Sequence, residues 1–148
     1  MRTASRLLGL LSLALGLVLA VPPAQADVTP REALKRHVRD VVQSVKAAPT
    51  AAKKRAILDE KLRGMIRALD RAERMTALPQ DRAGIDALRA RLQEKLDELH
   101  GQDGYEAVPA SQLDAFADYV QQDFEQADSI TISLTTALLI VILIVLLA

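Results

Sequence analysis

Residues 130–148 contain no charged side chain, and residues 137–147 are almost wholly Leu, Ile and Val. As an α-helix rising 1.5 Å per residue, this stretch would reach about 28 Å, close to the roughly 30 Å hydrocarbon core of a bilayer. Each central Leu, Ile or Val favours insertion by about 0.3–0.6 kcal/mol. Together they outweigh Thr131, Ser133, Thr135 and Thr136, whose hydroxyls can bond back to helix carbonyls. The sequence therefore predicts a single C-terminal transmembrane helix over 130–148. Two other tails are weaker matches. A glycolipid-anchor signal needs a polar spacer that residues 130–136 do not supply. A sortase-type tail would end in basic residues, and this one does not.

The other end carries its own address. Arg2 and Arg6 form a short positive region, residues 7–20 are apolar, and Pro22-Pro23 precede Ala24-Gln25-Ala26. A basic start, a short apolar run and a small-x-small site make up the grammar of a cleavable signal peptide. Cleavage is expected after Ala26. A cleaved signal puts residues 27–129 on the outer side of a membrane, with an acidic flank of Asp118, Asp123, Glu125 and Asp128 before the anchor. The chain has no cysteine, which excludes disulfides and an acylated-cysteine anchor. It also has no asparagine, hence no N-glycosylation acceptor. Both absences favour a bacterial envelope, periplasmic or extracellular, over a eukaryotic surface.

Between the two ends the pattern is helical. Aromatics are confined to Tyr105, Phe116, Tyr119 and Phe124, and Ala, Leu, Arg, Asp and Glu dominate, a composition of long packed helices rather than of a sheet. Thr29-Pro30-Arg31-Glu32 reads as a capping box with Pro at the first helical position. Leu34, Val38, Val41, Val42 and Val45 then share a face. A second stripe runs through Ile57, Leu58, Leu62, Met65, Ile66, Leu69, Ala72 and Met75, and a third through Ile85, Leu88, Leu92, Leu96 and Leu99. The predicted helices cover 30–48, 51–78, 82–100 and 111–129. Pro49 and Pro79 act as stops, Asp81 and Ser111 as caps, and Gly101 as the end of the third helix. Gly64 reads as a tolerated mid-helix glycine or a close crossing. With nothing to break it, the last helix is expected to run on from Ser111 into the membrane, or to be jointed near Asp128-Ser129. The fold class is all-α: a small antiparallel bundle or an elongated hairpin.

Net charge is zero but unevenly placed. Residues 27–80 hold 13 Lys/Arg against 7 Asp/Glu, and residues 81–129 hold 4 against 12. Lys35, Arg36, Arg39, Lys46, Lys53, Lys54, Arg55, Lys61, Arg63, Arg67, Arg71 and Arg74 form a candidate face for anionic lipid, wall polymer or an acidic partner. The plainer expectation is that the acidic later helices neutralise part of it. Ser129, Ser133 and Ala137 form a small-xxx-small row that could pack membrane helices together. His37 and His100 read as solvated surface residues. No zinc motif, calcium loop, nucleophile elbow or phosphate loop occurs. The expectations are no catalysis, no cofactor, no metal and no nucleic acid. The favoured role is a membrane-anchored interaction or assembly protein. Alternatives are a coiled-coil-like homo-oligomer formed by the second and third stripes, or a binder of anionic lipid or polymer.

Overall fold

The computed structural model describes residues 29–126 and 130–147; the leader read over 1–26, Asp128 and Ser129 lie outside them. All regular structure among the described residues is helical: α1 (Pro30–Ala47), α2 (Ala51–Met75), α3 (Pro79–His100), a 3₁₀ turn (Ala110–Gln112), α4 (Leu113–Glu125) and α5 (Leu134–Leu147).

The helix starts follow local chemistry. The Thr29 hydroxyl accepts the Glu32 N–H at 3.2 Å, and the Thr50 hydroxyl accepts the Lys53 N–H at 3.2 Å. Each side chain satisfies one of the four N–H groups left orphaned at a helix start. Pro79 differs from its reading as a stop. The second helix already ends at Met75, and Pro79 opens α3, where a fixed φ and a missing N–H cost nothing. Asp81 consequently lies inside α3 and does not cap it; the N-cap is Leu78, which makes no side-chain cap bond. Ser111 is no cap either, since a 3₁₀ turn leads into α4.

Gly101 ends α3 with φ +69°, the left-handed conformation that a side chain disfavours. A Cβ there would also lie 2.6 Å from the Ala107 backbone nitrogen. Gly101→Ala is expected to lower stability by about 1–2 kcal/mol from the left-handed conformation alone. Urea denaturation of the full chain measures it.

The stripes bury within one chain. Val38, Val41, Val42 and Val45 of α1 meet Leu58, Leu62, Met65 and Leu69 of α2, Ile85, Leu88, Leu92, Leu96 and Leu99 of α3, and Leu113, Phe116, Val120 and Phe124 of α4 in a single core. Helix α2 packs against α3, and α1 against α2 and α4. Gly64 is buried in this packing and does not face solvent. Apart from Met75, which is 61% exposed, the second and third stripes are largely covered within this one chain.

The tail departs most from expectation. Among the described residues, no helix is long and apolar enough to cross a membrane. Helix α5 has 14 residues, about 21 Å at 1.5 Å per residue. Residues 130–133 are not helical, and α4 stops at Glu125. Instead of leaving the bundle, α5 lies against α2 and α1.

Candidate functional site

Helix α5 is apolar on every side, a pattern typical of a fully buried helix or a membrane span. Here it is half covered. Thr136, Ile140, Leu143 and Ile144 are buried. Ile140 and Ile144 close over Met65 and Leu69 of α2, Leu88 and Leu92 of α3, and Phe124 of α4. Burying a large aliphatic side chain contributes about 1.5–3 kcal/mol, so this face holds α5 firmly. The opposite face has no cover among the described residues. Leu134, Val145 and Leu146 are 73%, 70% and 72% exposed, and Leu138 and Ile142 about half exposed.

A polar clasp sets where α5 begins. The buried Asp81 carboxylate accepts the Ser133 N–H at 2.8 Å, the Ser133 hydroxyl at 2.6 Å and the Thr136 hydroxyl at 2.5 Å. The Ser133 hydroxyl in turn accepts the Thr136 N–H at 3.3 Å. Ser133 is therefore held as the residue preceding the helix, which is why the tail is not helical back to Ile130. The carboxylate stands at the N-termini of both α3 and α5, where helix dipoles favour negative charge. Bonds from the Ser133 and Thr136 side chains, then from the Ser133 backbone, hold its pKa below the usual carboxylate range against the opposing effect of burial. Thr76 lies 3.4 Å from Thr136, hydroxyl to hydroxyl. The hydroxyls that looked merely tolerable in lipid are thus specific partners of the bundle. Gly84 completes the fit. A Cβ there would meet the Thr131 carbonyl at 2.8 Å and Ile132 Cγ1 at 2.6 Å.

Beside α5 opens a cavity of about 310 Å³. Its walls are apolar residues of α1, α3, α4 and the tail, among them Leu34, Val38, Leu88, Phe124, Ile132 and Ile140. Thr29, Arg31 and Lys35 supply its polar side chains. A second hollow of about 190 Å³ lies between α1 and α5, lined in part by His37, Asp40, Val141 and Ile144.

His37 is not the solvated residue the sequence suggested. Its Nε2 is buried without a hydrogen-bond partner among the described residues. Burial first, then Lys61, holds its pKa below 6.5, while Asp40 pulls the other way. The fold therefore favours the neutral ring. This contribution is fully present above the unfolded pKa of about 6.5 and declines as the pH falls from there toward the folded value. The urea midpoint of the full chain should drop on acidification through this window, and His37→Phe should flatten that dependence. His100, by contrast, has a partner, with Nε2 2.6 Å from Asp59, which accepts from Arg63 at 2.9 Å. Burial raises the Asp59 pKa, but the His100 and Arg63 bonds outweigh it and the net shift is downward.

The twelve basic residues stand in different surroundings. Lys46 pairs with Asp118 at 2.7 Å and Lys54 with Asp114 at 2.6 Å, tying the basic helices to α4. Arg63 pairs with Asp59 on its own helix. Arg55 donates to the Leu99 and Val108 carbonyls, fixing the end of α3 and the loop after it. Lys61 is also engaged. Arg36, Arg39, Lys53, Arg67, Arg71 and Arg74 are exposed, and Lys35 lines the cavity. Of the small-residue row, Ser133 belongs to the clasp, Ala137 lines the cavity and Ser129 lies outside the described residues.

Two features had no distinct sequence signal. Arg89 joins α3 to α2 through Asp70 at 3.0 Å and Glu73 at 2.5 Å. Lys95 is 2% exposed and donates to the Tyr119 hydroxyl at 2.7 Å and to Glu98 at 2.9 Å. Burial lowers the Lys95 pKa, but Tyr119 and Glu98 more than compensate and raise it overall. An i,i+3 charge pair such as Lys95–Glu98 reads as an exposed helix face until α4 is placed over it.

No family model matches the chain, and no curated protein or solved structure matches it significantly.

Proposed function

We propose that this chain is an exported, membrane-associated helical interaction protein of the bacterial envelope, without a catalytic role. The observation that carries this reading is the exposed apolar stripe of α5, on a helix with no charge anywhere along it. A contiguous apolar patch of this kind on a small domain marks a surface that a membrane or a partner covers. The signal-peptide grammar of residues 1–26 supports export, and the uncharged run 130–148 supports attachment at the C-terminal end. In the docked form the stripe dips into one leaflet while the bundle rides on the outer face. The full transmembrane form first read from the sequence requires the helix to grow back through 130–133, which means opening the Asp81 clasp.

Fractionation of expressing cells with intact-mass measurement tests the reading. The expected product begins at Asp27 and stays with salt-washed membranes until detergent is added. A mature protein recovered wholly in the detergent-free soluble fraction would falsify it.

A further inference from the structure

We propose that the cavity between α1, α3, α4 and α5 binds a single-chain fatty carboxylate. The inference goes beyond membrane association, because the cavity, open on one side, lies between the bundle and the inner side of α5, and of the exposed stripe only Leu134 reaches it.

Three observations converge. The cavity's roughly 310 Å³ lies at the small end of ligand pockets, which span about 300–1,000 Å³. That suits one medium-length acyl chain. Its interior is aliphatic and aromatic, so it offers an alkyl chain dispersion contacts and no competing hydrogen bonds. Its polar side chains among the described residues are confined to the N-terminal end of α1, where Lys35 stands one turn from Arg31, itself already engaged, and no acidic residue among the described ones lines the cavity. Lys35 is half buried and forms no ion pair among the described residues. A positive rim over an apolar pocket is complementary to an amphiphile with an anionic head. The start of α1 adds its own positive dipole end at the same rim.

Photo-crosslinking with a diazirine-bearing decanoate tests this on the full chain, with adducts located by peptide mass spectrometry. Site mapping separates the cavity from bulk partition into lipid. Adducts are expected on the α1 and α5 peptides that hold Leu34, Val38, Ile140 and Val141. Unlabelled decanoate should compete, and decyltrimethylammonium should not. Lys35→Glu should cut the cavity adduct about fivefold, from loss of one partly exposed charge contact. Ala137→Phe should abolish it by filling the cavity, while circular dichroism reports an intact bundle. Adducts confined to the exposed stripe of α5, or equal competition by decanoate and decyltrimethylammonium, would overturn the assignment. Neither result bears on membrane fractionation, so the two readings stand or fall separately.

Discussion

Leu138→Glu combined with Val145→Glu is expected to release the full chain from washed membranes while leaving the bundle folded. Leu138 is 51% and Val145 70% exposed on the outer face of α5, so neither substitution removes a core contact. In a bilayer each carboxylate costs about 2.5–3.5 kcal/mol near the centre of an apolar segment. Two therefore cost about 5 kcal/mol, a shift in partition of more than a thousandfold. Circular dichroism should show unchanged helicity, and fractionation should find the variant in the soluble pool. Leu143→Glu is the matched contrast. Leu143 is 8% exposed and faces the bundle, so the same charge there should loosen α5 from its groove. A doubly charged variant that still sediments with membranes would mean that the stripe is not the attachment surface.

Gly84→Val should act on docking and not on attachment. The added Cβ would stand 2.8 Å from the Thr131 backbone carbonyl, which cannot rotate away as a side-chain tip can. Overpacking of this kind costs about 1–3 kcal/mol. The branched residue needs still more room, which places the expected loss near 3 kcal/mol. The strain can be relieved by letting residues 130–133 lift off α3, opening the clasp at Asp81. Amide exchange in α5 should therefore accelerate by about a hundredfold relative to α2 and α3. Membrane retention should persist, because the exposed stripe is unchanged. Uniformly faster exchange in every helix would instead show that α5 and the four-helix core open as one unit.

The four-helix part was largely legible in the sequence, since amphipathic stripes and Thr caps are local signals. Thr29 caps as its hydroxyl chemistry predicts, Thr50, not singled out from the sequence, caps α2 in the same way, and the valines of α1 bury on the shared face. The charge asymmetry was legible in the same way, because Lys46 and Lys54 find Asp118 and Asp114 on α4. Helix α5 was not. A run of Leu, Ile and Val has no polar face to give direction, so periodicity cannot separate a docked helix from a spanning one. Asp81 misled for a different reason. Asp next to the start of a helix is an ordinary cap, and only the tertiary fold shows that it holds Ser133, 52 positions later, just ahead of another helix. The cavity is formed by residues from four helices and the tail, so no window of sequence contains it.

Among the described residues the Asp81 clasp contains no cationic side chain, and its carboxylate is shut away from water. Lys46–Asp118 and Lys54–Asp114 join α1 and α2 to α4 from partly or largely exposed positions. Mobile ions screen exposed pairs and reach buried groups poorly, with a Debye length of about 3 Å at 1 M ionic strength. Brine should therefore divide the molecule unevenly: α4 loses part of its hold, while α5 keeps its seat. A protein built this way would hold its apolar helix in place through swings of osmolarity that weaken its surface charge pairs.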